Sequence, residues 1–138
     1  MKRVVVTGIG LVTPLGCGRE INWNNLISGV SSASLISKFD TSTYKCKIAC
    51  EVPKDVAVPG AFIAEEWIEK KEIRKLDDFI QFSLAAAEQA FQDSKLSKLS
   101  DSDSFNAGCI IGSGMGGLPG IEQTSVSYNE GNKISPFF

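Results

Sequence analysis

Three glycines in the stretch NAGCIIGSGMGGLPG, residues 106–120, have the spacing of a phosphate-binding loop. Gly112, Gly114 and Gly117 form G-x-G-x-x-G directly after an apolar run. In dinucleotide-binding proteins such a loop brings backbone N–H groups close to a pyrophosphate at the start of a helix. Nucleotide binding is therefore the first chemistry that this spacing suggests.

The other requirements of nucleotide binding are not met. A dinucleotide site also needs an acidic residue about 20 positions further on, at the end of the next strand, to bind the ribose. Glu130 has a suitable position, but the surrounding SVSYNEGN is polar and has no strand pattern. The amino-terminal VVVTGIGLVTPLG lacks the third glycine, and neither loop is followed by the Lys-Ser or Lys-Thr of a Walker A site. These residues argue against a nucleotide-binding α/β domain.

Met115 is the single bulky residue of GSGMGG. Glycines allow positive φ and the close approach of another backbone or of a ligand. A flexible thioether is suited to line an adaptable apolar pocket. The same pattern also fits a tight strand-to-helix turn in which methionine fills a core, and the residues alone leave both interpretations open.

The sequence contains no histidine, which excludes several kinds of catalytic site. Imidazole is the usual base that activates a serine or cysteine nucleophile, so neither a Cys-His nor a Ser-His-Asp set can form within these residues. The cysteines suggest neither a zinc site nor a disulfide framework. Cys46 and Cys50 would lie about 13 Å apart on one strand, beyond the reach of a disulfide. Cys109 lies in an apolar run, and we expect it to pack as a small buried hydrophobe.

Strands and helices are predicted to alternate around these groups. The predicted strands are 3–7, 46–52 and 106–113. The predicted helices are 19–27, with a stop at Gly29, then 76–94 and about 117–128, and EEWIEKKEIRK is expected to form a short separate turn or two. Residues 30–45 are Ser-rich and expected to be irregular. This order predicts an α/β layer with parallel strand pairing.

The helix at 76–94 has the clearest amphipathic pattern. Its apolar positions recur at intervals of three and four residues, and its alanines would allow close packing. These positions are Phe79, Ile80, Ser83, Leu84, Ala87, Ala90 and Phe91. We expect this stripe to be the packed face.

Composition predicts one globular domain without a nucleic-acid or membrane partner. The chain has 138 residues, 43% hydrophobic and 22% charged, with a net charge of −2. A nucleic-acid-binding protein would need a clustered excess of cations, whereas the lysines and arginine of residues 70–75 are interleaved with glutamates, as on a solvated helix. No run approaches the roughly 20 apolar residues of a membrane span, and MKRVVVTGIG is not a signal peptide. We therefore expect a cytoplasmic protein.

Five motifs occur in an order that resembles one enzyme family. The motifs are RVVVTGIGLVTPLG, FDTSTY, KLDDFIQFSLAAAEQAFQDS, IGSGMGGL and KISPFF. Together they resemble the amino-terminal part of the β-ketoacyl-acyl carrier protein synthases, most closely the type II elongation synthases of bacterial fatty acid synthesis. The resemblance covers nearly the whole chain and is weakest at residues 51–69.

The resemblance implies an α/β fold of the thiolase-like type, in which two βαβ-rich halves form α/β/α/β/α layers and subunits form homodimers. Residues 1–138 would be a partial amino-terminal domain, and the apolar ending SPFF also predicts a chain cut in mid-fold. In the family, a cysteine takes the acyl chain from an acyl carrier protein. Two histidines then promote decarboxylation of malonyl-carrier protein and condensation. No metal or bound redox cofactor is implied, because phosphopantetheine arrives on the carrier protein.

No catalytic residue carries over to this sequence, because the family's nucleophile motif and both histidines have no counterpart here. The resemblance does assign Gly114, Met115 and Phe138 to the acyl-chain pocket, and it assigns a structural role to TGIG at residues 7–10. The leading hypothesis is a portion of an elongation synthase that is inactive by itself. The alternative is a non-catalytic acyl-binding or dimerisation module.

Overall fold

The computed structural model describes residues 2–96 and 99–134. Helices are the larger elements, and the strands form two short hairpins. In chain order the elements are β1 (Val12–Thr13), β2 (Gly16–Cys17), α1 (Arg19–Ile27), β3 (Ala33–Leu35), β4 (Ile48–Cys50), a 3-10 helix (Ala64–Glu66), α2 (Lys70–Ile73), α3 (Asp78–Asp93), α4 (Asp101–Ser104) and α5 (Leu118–Asn129).

The helix predictions are confirmed. α1 has the predicted bounds, and α3 and α5 each lie within two residues of theirs. The chain leaves α1 through Gly29, whose φ of +68° favours glycine over any residue with a Cβ. The 3-10 helix and α2 are the short separate turns expected before α3.

The sheet predictions are partly wrong. β4 lies inside the predicted strand 46–52, but it pairs with β3, which falls in the stretch expected to be irregular. Both pairings, β1 with β2 and β3 with β4, are antiparallel rather than parallel. Residues 3–7 and 106–113 are not strands, since a strand requires a hydrogen-bonded neighbour and neither segment has one within the described ranges.

Strands β1 and β2 form the amino-terminal hairpin, which is attached to α1 through one buried side-chain amide. Asn22 is buried, and its Nδ2 donates to the carbonyl oxygens of Gly16 at 2.8 Å and of Gly18 at 2.7 Å. The hydroxyl of Thr13 donates to the Oδ1 of the same side chain. Buried polar groups are costly unless they are hydrogen-bonded, so this satisfied amide fixes the hairpin against the helix.

The packed face of α3 differs from the predicted one. The buried residues are Gln81 and Ala85, whereas Leu84 and Phe91 of the predicted stripe are exposed. The physical reason is polar: Nε2 of Gln81 donates to the carbonyl oxygens of Ile73 and Leu76, which closes the turn before the helix. Hydrophobic periodicity alone cannot predict a packed face in which a polar side chain is buried because it binds backbone carbonyl groups.

The amino-terminal segment, residues 8–11, lies directly on the backbone of α3. A Cβ at Gly8 would overlap the carbonyl oxygen of Ala90, and one at Gly10 would overlap that of Ala86. The structural role expected for TGIG is thus supported by two glycines whose missing side chains permit this approach.

Two amides between and beyond these glycines find their acceptors on the same helix. The backbone N–H of Ile9 donates to Oδ2 of Asp93, and that of Leu11 donates to Oε1 of Gln89, each at 3.0 Å. Arg19 of α1 pairs with the other oxygen of Asp93. Side chains of α3 therefore take the place of a neighbouring strand.

Much apolar surface remains uncovered. The accessible surface of the chain is 11258 Å², whereas a compact protein of 14.8 kDa exposes about 7,000 Å². Val4, Val6 and Ile110 are among the exposed apolar residues. Cys109, expected to be buried, is exposed as well, because the run that contains it does not pack.

Candidate functional site

The glycine loop, residues 112–117, joins residues 107–111, which belong to no helix or strand, to α5. A Cβ placed on Gly112 or on Gly114 would meet no atom of the described part of the chain within 4 Å. Between them and the helix, the side chain of Met115 is 71% exposed. The loop thus presents one apolar, flexible side chain from an otherwise bare backbone, as the sequence suggested.

The end of the glycine loop lies against the start of α3. A Cβ on Gly116 would come within 3.6 Å of the Phe79 ring, and a Cβ on Gly117 would overlap Oδ2 of Asp77. A Cβ on Gly120, in the first turn of α5, would lie 3.2 Å from the same oxygen. The second half of the glycine motif therefore serves close packing between two parts of the chain.

Of the three residues assigned to an acyl pocket, Gly114 and Met115 are neighbours in the glycine loop. Phe138 lies outside the described residues. The pocket that these three would form together stays a prediction.

A separate apolar groove runs between the amino-terminal hairpin and α1. Its volume is about 870 Å³, and it is lined mainly by Ile9, Leu11, Pro14, Leu15, Trp23 and Leu26. Arg19 and Glu20 also line it, and so does Cys50. Gly114 and Met115 are not in its lining. The sequence signal was present in α1, where Trp23 and Leu26 lie three residues apart on one helical face.

Cys17 is the most enclosed thiol of the chain. Burial raises its pKa, and the nearby carboxylate of Glu66 acts in the same direction, although a hydrogen bond from Nε2 of Gln89, at 3.3 Å, opposes them. A nucleophilic cysteine needs the opposite shift, because the thiolate is the reactive form. The structure therefore gives Cys17 the environment of a structural thiol.

The remaining cysteines do not form a chemical centre. Cys46, Cys50 and Cys109 are free and exposed. In the described ranges no group of three or more His, Cys, Asp or Glu side chains is arranged to hold a metal ion. None of the described helices combines the length and the apolarity that a bilayer crossing requires.

Comparison with known proteins identifies the family of the glycine loop and of its surroundings. The model of the beta-ketoacyl synthase, N-terminal domain, matches residues 1–138. The chain is 42% identical over 140 residues to 3-oxoacyl-[acyl-carrier-protein] synthase 2 of Rhizobium meliloti (strain 1021), covering 100% of this chain and 33% of that protein. It is 39% identical over 139 residues to the protein of the same name from Coxiella burnetii (strain RSA 493 / Nine Mile phase I), covering 99% and 32%.

A solved structure gives the same answer for the fold. The ishigamide ketosynthase/chain length factor superposes with a TM-score of 0.70 at 26% sequence identity, covering 96% of this chain and 32% of that one. The α/β fold of the thiolase-like type is therefore confirmed for these residues. The chain spans about a third of the length of the relatives that it matches.

Proposed function

Because the chain belongs to the β-ketoacyl synthase family through its amino-terminal domain, we propose that it is the amino-terminal portion of a 3-oxoacyl-[acyl-carrier-protein] synthase of the type II class. The observation that carries the proposal is the match over the whole chain to synthases of that name, at up to 42% identity among those compared. The reaction would be the decarboxylative condensation of an acyl thioester with malonyl-carrier protein in fatty acid elongation.

The proposed reaction requires groups that these residues do not contain. In the family, the acyl chain is first transferred to a cysteine. Malonyl-carrier protein then loses CO₂, and the resulting carbanion attacks the thioester carbonyl and expels the cysteine thiolate. Two histidines assist, and this sequence has none. We therefore expect the 138 residues by themselves to be inactive, and their part to be the binding of the alkyl chain.

The glycine loop supports this part in the reaction. Its bare backbone leaves room beside Met115, and the exposed thioether can adapt to an apolar chain. Gly114, Met115 and Phe138 would line the pocket. The proposed partners are an acyl carrier protein and a second subunit in a cytoplasmic homodimer. No metal or bound redox cofactor is required, because phosphopantetheine arrives on the carrier protein.

A domain exchange tests the proposal. Residues 1–138 would replace the matching third of the Rhizobium meliloti synthase, and condensation would be assayed with acyl- and malonyl-carrier protein. We expect an active hybrid, and we expect Met115→Phe to lower activity with long acyl chains more than with short ones. A folded dimeric hybrid without condensation would contradict the proposed function. Equal loss for all chain lengths would contradict the pocket assignment.

The apolar groove beside α1 favours a second candidate, a non-catalytic acyl-binding module. Trp23 lines this groove, so a brominated fatty acid bound there would quench its fluorescence. Trp67→Phe would remove the other tryptophan signal. If the brominated fatty acid quenches Trp23 of the isolated chain in a saturable way and the hybrid synthase is inactive, the acyl-binding module is favoured over the synthase portion.

A further inference from the structure

We propose that Asp77 is a positioning residue for Met115: its carboxylate seats the turn at the start of α5 and so sets where the methionine side chain projects. The importance of this for acyl binding rests on the function proposed above. The contact itself does not depend on that function.

Glycine at two positions lets the turn approach Asp77. Gly117 immediately precedes α5, and Gly120 lies in its first turn. A Cβ on Gly117 would overlap Oδ2 of Asp77, and a Cβ on Gly120 would lie 3.2 Å from it. Met115 is two residues before Gly117, so a shift of this turn would move the methionine with it.

The charge of Asp77 suits the place where it lies. The first turn of α5 has no acidic residue of its own, and Pro119 within it has no backbone N–H. A helix N-terminus carries partial positive charge, which a nearby carboxylate stabilises. Asp77 brings that carboxylate from another part of the chain.

Asp77 is itself held in place by α3. Its carbonyl oxygen accepts the backbone N–H groups of Ile80 at 3.0 Å and of Gln81 at 3.1 Å. The side-chain Nε2 of Gln81 also donates to the carbonyl oxygen of Leu76, at 2.7 Å, and so stabilises the turn that precedes α3. The adjacent Asp78 has different partners: Nζ of Lys54 lies 2.6 Å from its Oδ1. Two neighbouring carboxylates therefore have separate roles.

Among the residues that the structure describes, the first half of the glycine loop lacks comparable support. A Cβ on Gly112 or on Gly114 would meet none of their atoms within 4 Å. Within the same ranges, the contacts at the other end of the loop, Gly116 with Phe79 and Gly117 with Asp77, are the ones able to orient Met115.

Methionine-methyl NMR measures this orientation directly. The sequence contains two methionines, Met1 and Met115, so methionine labelled with ¹³C at the methyl group gives two signals, and Met115→Leu assigns them. We expect Asp77→Ala to shift the Met115 signal. The control Asp78→Ala removes the same charge one residue away and should shift it much less. An unchanged signal in Asp77→Ala, or equal shifts in both variants, would overturn the proposal.

A pair of substitutions distinguishes the specific contact between Asp77 and Gly117 from a general disturbance of the fold. Gly117→Ala introduces a Cβ where Oδ2 of Asp77 lies, so it should displace the Met115 signal strongly. In combination with Asp77→Ala the overlap disappears, and the signal should return toward that of Asp77→Ala alone. Equal effects of Gly117→Ala with and without the carboxylate would overturn the proposal. Asp77→Asn keeps the shape of the side chain, and its smaller shift would be measured if Asp77→Ala does not fold.

Titration with dodecanoate separates this inference from the proposed function. A Met115 signal that moves with dodecanoate in the unsubstituted chain supports the acyl pocket. A signal that responds to Asp77→Ala but not to dodecanoate would retain the positioning role and contradict the pocket. A signal that responds to dodecanoate equally in every variant would contradict the positioning role alone.

Discussion

Gly10 shows how a missing side chain can set a packing distance. A Cβ at this position would overlap the carbonyl oxygen of Ala86, which belongs to the backbone of α3 and cannot rotate away. We expect Gly10→Ala to lower the free energy of unfolding by about 1–3 kcal/mol, the usual cost of overpacking. Urea denaturation followed by circular dichroism would measure it.

Gly112→Ala is the matched control, because a Cβ there would meet nothing within 4 Å in residues 2–96 and 99–134. The two substitutions change the unfolded chain alike, so their difference isolates the contact with α3. Similar unfolding free energies for both variants would show that the amino-terminal segment does not pack on α3 as described.

Cys17 is expected to be the slowest thiol to react. Burial raises its pKa, and the side chain is less accessible than those of Cys46, Cys50 and Cys109. Limited iodoacetamide treatment at pH 8, followed by peptide mass spectrometry, should label Cys17 last. Labelling of Cys17 ahead of Cys46 would contradict the structural role assigned to this thiol.

At the scale of elements, Asp93 links α3 to the amino-terminal segment in a pH-dependent way. Its pKa lies below the usual range, chiefly because it accepts the backbone N–H of Ile9 and also because Arg19 pairs with it, although partial burial acts in the opposite direction. A lowered folded-state pKa means that the contact stabilises fully above the unfolded value, which is about 3.9. This contribution is lost as the pH falls through the folded-state pKa.

Asp93→Asn is expected to flatten the dependence of unfolding free energy on pH in this acidic window. Other carboxylates titrate there too, so the quantity to compare is the difference between the unsubstituted chain and the variant at each pH. That difference should be largest near neutral pH and should shrink on acidification. A constant difference across the window would contradict the linkage.

Helices were predictable from the sequence to a degree that strands were not. The end of α1 follows from Gly29, which is a local signal. Strand formation at 3–7 and 106–113 depends on a hydrogen-bonding partner, which no local pattern specifies. The packed face of α3 was missed for a similar reason, since Gln81 is buried by the carbonyl groups that it serves.

The candidate site was partly predictable. Met115 stood out because it is the one large residue among glycines, and the structure places it outward on a bare loop. The contact of Gly117 with Asp77 joins residues forty positions apart, so spacing within the loop could not show it. The groove beside α1 depends in the same way on a hairpin that folds over the helix.

At the scale of the whole molecule, exposed apolar surface is the dominant feature. The total accessible surface exceeds that of a compact protein of this mass by about 4,000 Å², more than the roughly 1,600 Å² that a standard protein–protein interface buries in total, and many of the exposed side chains are large and apolar. We expect the isolated chain to enhance the fluorescence of the dye ANS and to self-associate, because large apolar patches favour association. Sedimentation velocity with increasing concentration would measure this.

The hybrid synthase described above provides the comparison for this prediction. When the same residues are part of a folded dimer, their ANS signal per chain should fall. A monomeric isolated chain with no ANS enhancement would show that these residues cover their own apolar surface in solution.

The contact between the amino-terminal segment and α3 matches two different backbone repeats over a short length. Alternate residues of an extended chain lie about 6.6 Å apart, and four residues of an α-helix span about 6.0 Å. The two repeats agree well enough for one step, from Gly8 to Gly10 against Ala90 to Ala86. The mismatch then grows, and the next helix position in the series is the bulky Phe82.

The two repeats can therefore match over one step, but a longer contact of the same kind would not fit. A slip of one step would preserve the spacing of the amides at residues 9 and 11, but it would place Val6 or Val12, each of which has a Cβ, against a carbonyl oxygen that a glycine now faces. The two glycines therefore restrict the register, and the acceptors, a carboxylate at Asp93 and an amide at Gln89, distinguish its two positions. Arg19 marks one of the two by pairing with Asp93. One arginine on α1 thus helps to fix the register of the amino-terminal segment on α3.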